Sequence, residues 1–399
     1  VGTSVKLIKR GREYSGLCPF HSEKSPSFTV NEQKGFYHCF GCGAHGDVIS
    51  FVMNTRGLTF IEAVEVLANQ VGMEVPKQSR EAQEREQKAK TLYEVMEAAC
   101  AFFERMLRMP EGKEGLEYFH QRGLDDKTIS EFRLGYAPDN RGALKAALKR
   151  EDIDEKLMIE AGLLIEPEDS GRQSYDRFRG RIMFPLHDIH GSLIAFAGRV
   201  IDDVEPKYLN SPETPLYVKG KHLFGFNRAK ESIRKQNKAL IVEGYFDQMR
   251  AYQHGIRNTV ATCGTALTPA QANLLKNHTK RATLVFDSDS AGHAATKKGF
   301  EVLLEQGLSV EVLFLPPGHD PDSFIYQFGP KKFLEELKNA RPFVESYIID
   351  TIAKGNLSTP MGKVEVVNNV LPILMKTKNT VERTEWIRVL TERAKIDDR

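Results

Sequence analysis

The sequence predicts a multidomain α/β protein with a small front domain too short to build a core of its own. Three observations carry this. Cys and His stand in two close pairs before residue 45. A stretch rich in Arg, Lys and Gly turns occupies the middle. Beyond it, short apolar runs end abruptly in carboxylates and alternate with helical periodicity, as buried parallel strands do. A chain of 399 residues is long enough for about two to four such domains.

The front domain is expected over 1–76. Cys18-x-x-His21 is followed, 17 residues later, by Cys39-x-x-Cys42. Each pair lets one backbone knuckle present two ligands to the same ion. Thiolates and imidazole suit a single tetrahedral, structural Zn²⁺, with Zn–S near ~2.3 Å. His38 and His45 compete for the fourth place, and His21 is preferred because its spacing completes the first knuckle. Phe28, Val30 and Gly35-Phe36-Tyr37-His38 alternate between the pairs, which predicts a hairpin and so a zinc ribbon. A domain below ~80 residues needs such an ion to fold. Val48, Ile49, Val52 and Met53 share one helical face, and a second helix is predicted over 60–71. Lys24 and Lys34 with Phe36, Tyr37 and Phe40 offer charge and rings to single-stranded bases, unless the rings form the ribbon core.

Residues 77–90 are polar and read as a mobile linker or exposed helix. Residues 91–236 are expected to form a mixed α/β basic subdomain: helices over 92–109, 114–122 and 126–132, then strand-like runs with Gly turns. Over 172–235, twelve Lys and Arg face seven Asp and Glu. Arg177, Arg179, Arg181, Arg199, Lys207, Lys219 and Lys221 sit at turns and strand ends, where Arg forks and Lys point charges suit phosphate oxygens. Asn210, Ser211 and Thr214 add short polar groups able to position a sugar or phosphate.

The next segment, 237–324, carries the acids. Ala239-Leu240-Ile241-Val242 runs into Glu243, Thr283-Leu284-Val285-Phe286 runs into Asp287-Ser288-Asp289, and GHDPDSF supplies Asp320 and Asp322. Loops leaving the carboxyl ends of parallel strands form the ligand crevice of an open α/β sheet. Hard carboxylate oxygens there suit Mg²⁺ or Mn²⁺. Glu243-Gly244 followed by the Asp287/Asp289 pair resembles the Toprim motif pair, a Rossmann-like parallel sheet with helices shared by primases, topoisomerases and several nucleases. That resemblance implies divalent-metal chemistry on phosphodiester or triphosphate bonds.

CPFH with the FGCG knuckle, RFRGRIMFPL, AFAGRV, PKYLNSPET, LFGFNRAK, EGYFD, FDSDSAG and DPDSF stand in one order along nearly the whole chain. In this the sequence resembles the bacterial replicative DNA primases of DnaG type. The resemblance implies a DNA-directed RNA polymerase that makes short RNA primers from ribonucleoside triphosphates on single-stranded DNA, in the bacterial cytoplasm at the replication fork. It implies Glu243, Asp287 and Asp289 as catalytic acids. These, with Asp320 and Asp322, are the implied ligands of two Mg²⁺ or Mn²⁺ ions, although Glu243 is alternatively a general base. Arg181, Arg199, Lys207, Asn210, Lys219 and Asp247 are implied nucleic-acid or nucleotide contacts. The departures are a Ser between the two acids of the second cluster, AGRV where GGRV is commoner, and a shortened helix ahead of the ribbon; none removes a ligand.

Residues 325–399 are expected to be a helical end of the polymerase core, with helices over 342–353 and 361–375. A helicase-binding domain is expected to be missing, so that the replicative helicase would be met through a part not present. The chain, which starts at Val1, reads as a trimmed fragment, monomeric or lending its zinc module in trans. A formal charge of +2 excludes a general polycation and requires local segregation of charge. No apolar run reaches ~18 residues, so no transmembrane helix is expected. Three of five cysteines in one cluster argue for a metal site over a disulfide framework, with Cys100 and Cys263 as buried thiols. A Toprim nuclease or topoisomerase and a DNA-binding recombination clamp are the rival readings. The first lacks a DNA-gripping domain with a nucleophilic Tyr, and the second would be shorter and lack KYLNSPET.

Overall fold

The computed structural model of the chain describes residues 1–56, 58, 60–73, 80–167, 169, 171–202, 204–262, 264, 266–286 and 290–396. It divides into two compact units, Val1–Arg85 and Glu86–Arg399. The polar stretch expected as a linker is helical from Arg80 onward, in the helix Arg80–Leu107.

The first unit is a five-stranded antiparallel sheet in sequence order: β1 (Ile8–Arg10), β2 (Glu13–Gly16), β3 (Phe28–Asn31), β4 (Phe36–Cys39) and β5 (His45–Asp47). The predicted hairpin is β3–β4, with Phe28 opposite Cys39. Helices Val48–Arg56 and Phe60–Gln70 follow. Phe20, Phe28, Tyr37 and Phe51 pack ring on ring at centroid distances of 5.3–6.2 Å. Tyr37 is therefore core, whereas Phe36 and Phe40 face solvent, Phe40 with 75 % exposure. The alternation of a strand explains the split: neighbouring side chains point to opposite faces.

The second unit holds two larger sheets. β6 (Gly135–Ala137), β9 (Arg181–His187), β10 (Leu193–Val200) and β11 (Tyr208–Asn210) form an antiparallel sheet in the order β11-β10-β9-β6, and β7 (Leu164–Ile165) pairs with β8 (Tyr175–Asp176) beside it. β12 (Ala239–Val242), β13 (Thr259–Ala261), β14 (Arg281–Phe286), β15 (Ser309–Phe314) and β16 (Arg341–Pro342) form the other, in the order β13-β12-β14-β15-β16. All pairings of the latter are parallel except the edge strand β16. Edge placement suits Pro342, which cannot donate to a central ladder.

The apolar runs are buried on both faces, as a parallel sheet between layers requires. Leu240, Val242, Val285 and Leu313 enter one core with Ile182, Phe184 and Ile194 of the antiparallel sheet. Ala239, Ile241, Leu284 and Val312 enter another. That second core is completed by Phe343, Val344 and Ile348 of helix Phe343–Lys354, by Val366, Val370 and Leu374 of helix Pro360–Lys376, and by Leu390 of helix Thr380–Ala394. The last of these three helices lay outside the sequence expectation. Cys100 is buried as expected; Cys263 lies outside the described residues.

Candidate functional site

In the first unit Cys18, His21, Cys39 and Cys42 present ligand atoms that all lie within 4.8 Å of one another. Cys18 Sγ is 3.8 Å from Cys42 Sγ, and His21 Nδ1 is 3.8 Å from Cys39 Sγ. Ligands about 2.3 Å from a tetrahedral ion stand ~3.8 Å apart, so the donors and their spacing fit Zn²⁺. Backbone N–H groups support the sulfurs: Phe20 donates to Cys18 Sγ at 3.4 Å, and Gly41 and Cys42 donate to Cys39 Sγ at 3.3 and 3.4 Å. Burial pushes the Cys39 thiol up, but Ser27 and the N–H groups of Cys42 and Gly41 outweigh it and bring it to about 6. Cys18, where burial dominates, is raised to about 11. The competitors lie outside the cluster: His45 Nδ1 is 2.9 Å from the Gly43 carbonyl, and His38 packs edge-on to Phe40.

In the second unit β12 ends at Val242, and the half-buried Glu243 leaves its carboxyl end just before helix Tyr245–Gln253. β14 lies beside β12, Ile241 opposite Leu284, and runs the same way. Asp287 and Asp289, which follow it in sequence, lie outside the described residues. Asp320 caps helix Pro321–Glu336 by accepting Ser323 N–H at 2.7 Å. Asp247 ties the two helix starts together: Oδ2 accepts Gly244 N–H at 2.8 Å and Oδ1 accepts Asp322 N–H at 3.0 Å. Burial, then the charge of Asp320, pushes its carboxyl up to about 8. A buried carboxyl that accepts from two backbone donors braces the two helix starts against each other.

Asp322, expected among the metal ligands, is held by arginines. Only 3 % exposed, it accepts from Arg250 Nε at 2.8 Å through Oδ1 and from Arg122 Nη2 through Oδ2. Arg250 in turn donates to the carbonyls of Gly123, at 2.7 Å, and Arg122. Both oxygens thus accept from guanidinium groups, and through them the residue anchors the chain around 122–123. Sequence reading missed Arg122 and Arg250 because neither stands in an acidic or basic cluster.

The cationic sheet adjoins this edge. Tyr245, at the first turn beyond Glu243, stacks on Phe184 and on Tyr208, and its hydroxyl donates to Asn210 Oδ1 at 3.2 Å. Arg199, 8 % exposed, lies over the rings of Tyr118, Tyr208 and Phe246 at 5.0–5.5 Å. Arg181 donates to the carbonyls of Gly198 and Lys207, both at 3.3 Å, and Arg177 donates to that of Asn210. Lys207 and Lys219 are exposed. Among the described residues no carboxylate pairs with Arg177, Arg179, Arg181, Arg199, Lys207, Lys219 or Lys221, whereas Arg122, Arg133, Lys145, Lys238, Arg250 and Lys376 of the same unit each have one. Ser211 and Thr214 turn inward: Ser211 Oγ accepts Phe196 N–H at 3.0 Å and Thr214 Oγ1 accepts Tyr217 N–H at 3.0 Å, so both shape the loop.

Comparison with known proteins agrees region by region. Residues 1–83 match the CHC2 zinc finger, 102–230 the N-terminal domain of the DNA primase catalytic core, 240–325 a Toprim-like family, and 346–399 the DnaB-helicase binding domain of primase. The last match corrects the expectation that a helicase-binding domain is missing. The helical periodicity of this segment does not distinguish the two, and its buried faces pack on the parallel sheet. The chain is 38 % identical over 394 residues to the DNA primase of Halalkalibacterium halodurans, covering 98 % of this chain and 66 % of that protein. It is 38 % identical over 405 residues to that of Pasteurella multocida, covering 100 % and 69 %. The chain thus spans about two thirds of the length of these relatives. Among solved structures, the zinc-binding and RNA polymerase domains of Aquifex aeolicus primase superpose with a TM-score of 0.68 at 34 % identity, covering 99 % of this chain and 94 % of that one. A DnaG primase catalytic domain bound to ssDNA gives 0.71 at 32 %, covering 78 % and 98 %.

Proposed function

This chain belongs to the bacterial DNA primase family, and from that premise we propose that it synthesises short RNA primers on single-stranded DNA. The observation that supports this most is the adjacency of two opposites: the strand-end acid Glu243 and a sheet of Arg and Lys without carboxylate partners, joined through Tyr245 and Asn210. Such a surface attracts a polyanion and holds its phosphates next to hard-oxygen ligands.

Glu243, Asp287, Asp289 and Asp320 would hold divalent cations, Mg²⁺ or Mn²⁺, since their carboxylates are the donors those ions prefer. When bound, a pair of such ions lowers the pKa of a primer 3′-OH and neutralises charge on the triphosphate and leaving pyrophosphate. The chain's own residues do the rest. Lys207 and Lys219, exposed, neutralise template or nucleotide phosphates. Arg199, held among three rings, keeps a fixed positive charge where negative charge grows during transfer. Arg181, fastened to two carbonyls, stiffens the strands that present these groups. Asp247 and Asp322 keep the two helix starts in register so that Glu243 and Asp320 stay on one edge.

The domain limits we propose are a zinc ribbon over 1–76, a joining segment over 77–90, a basic subdomain over 91–236 and a Toprim subdomain over 237–324. The helical remainder, 325–399, would include the part that engages a replicative helicase at the replication fork. The test is synthesis from labelled ribonucleotides on a single-stranded template. Asp287→Ala is expected to abolish primers while template binding survives; retained synthesis would contradict the proposal. Cut DNA from the unaltered chain would favour a nuclease, and binding without product a clamp.

A further inference from the structure

We propose that Glu23 is the positioning residue of the Cys/His cluster, selecting His21 Nδ1 as the ligand atom and holding the backbone of the first knuckle around the ion. This rests on the zinc reading of the cluster and goes beyond it, because ligand spacing alone does not say what orients the imidazole.

The two nitrogens of His21 face different partners. Nδ1 looks into the cluster, 3.8 Å from Cys39 Sγ, and Nε2 lies 3.2 Å from Glu23 Oε2. A carboxylate only accepts, so the single proton of a neutral imidazole belongs on Nε2, leaving the Nδ1 lone pair directed at the ion. A carboxylate behind a metal-bound His also raises the basicity of the ligating nitrogen. The other oxygen of the same side chain works on the chain itself: Glu23 Oε1 accepts Cys18 N–H at 2.7 Å and Ser27 N–H at 3.1 Å. The Ser27 hydroxyl hydrogen-bonds Glu23 Oε2 and lies 3.2 Å from Cys39 Sγ. One side chain, 10 % exposed, therefore reaches three of the four ligands: His21 directly, Cys18 through its backbone, and Cys39 through Ser27.

The network is closed on its open side by a residue without a side chain. A Cβ built on Gly41 would stand 2.7 Å from His21 Nε2 and 2.8 Å from Ser27 Oγ. Gly41 is needed there because the His21–Ser27 arrangement fills the space against its backbone, while its own N–H supports Cys39 Sγ. Among the described residues no Lys or Arg pairs with Glu23, so its partners are these donors and His21.

The test compares the unaltered chain with Glu23→Gln and Ser27→Ala. Zinc affinity is read by competition with a chromophoric chelator, and the His21 tautomer by long-range ¹H–¹⁵N correlation in the zinc-loaded protein. Gln keeps an acceptor for Cys18 and Ser27 but can turn an NH₂ toward His21 Nε2. Zinc affinity is expected to fall by about 10–100-fold in Glu23→Gln, with loss of the slowly exchanging His21 Nε2 proton expected of the unaltered chain. Ser27→Ala, which leaves the Glu23–His21 contact alone, is expected to lose less affinity and keep that proton. Equal zinc affinity in Glu23→Gln and the unaltered chain would overturn the proposal, as would a loss in Ser27→Ala as large as in Glu23→Gln. An unaltered chain that takes up no zinc would overturn the zinc reading as well.

Discussion

The Cys/His cluster and the carboxylate edge both gather metal-type ligands, yet they assemble them by different routes. The cluster takes its ligands from two short knuckles within 25 residues, braces every described sulfur–backbone contact locally, and presents four donors at near-tetrahedral spacing. The carboxylate edge draws Glu243 and Asp320 from strand and helix ends far apart in the chain, and it gives two further acids, Asp247 and Asp322, to holding those ends together. A closed soft-donor site is a folding device. An edge of partly committed hard donors beside uncompensated cations is a place where substrate charge can be met. Acids that look alike in sequence thus meet different surroundings: Asp322 is buried against two arginines and Asp247 against two backbone N–H groups, whereas Glu243 is half-buried at its strand end.

The contrast is most open to attack at the ribbon. Removing zinc with a chelator is expected to unfold the first unit, since apparent binding energies of structural zinc sites run to about 10–16 kcal/mol. The second unit, with three cores of its own, should keep its unfolding transition. Backbone amide spectra across a chelator titration check this, and a ribbon that stays ordered without metal would erase the contrast.

Asp322→Asn probes the other side, the division between ligand and brace. Stripping the carboxylate from Arg250 and Arg122 leaves buried guanidinium charge unpaired, at a cost of about 3–5 kcal/mol in the second unit. Denaturant unfolding measures it. A cost below about 1 kcal/mol would return Asp322 to the ligand role its sequence position suggests. The smallest effect is expected at Lys207, which is exposed and lacks a described carboxylate partner. Lys207→Ala should weaken template binding and lower the slope of log affinity against log salt by about 0.7–1. An unchanged slope would take Lys207 out of the phosphate-contacting set.

Much of this was legible in the sequence, for physical reasons that differ by region. Cys and His held two residues apart, in two successive pairs, suit little besides a metal ion, so Cys18, His21, Cys39 and Cys42 could be named together. Ala239 to Val242 could be read as a strand because a run buried on both faces must be apolar throughout. The role of Asp322 was not legible: its partners Arg250 and Arg122 stand 72 and 200 residues away, and only the fold brings them in. Ser211 and Thr214 look like donors for a ligand in sequence, yet Ser211 accepts from Phe196 of the neighbouring strand β10 and Thr214 from Tyr217 of its own loop. β1 and β2 escaped notice because their residues are mostly exposed and carry no apolar alternation. Helix Thr380–Ala394 buries only Leu390 and Ala394, too few for a visible stripe.

Acids from separate strand ends must seat divalent cations beside the cationic sheet if this chain is to join nucleotides. Anomalous diffraction from crystals soaked in Mn²⁺ tests that most directly. Mn²⁺ peaks are expected within ligand distance of Glu243, at the carboxyl ends of β12 and β14. Peaks only elsewhere on the molecule, in a chain that still makes primers, would contradict it.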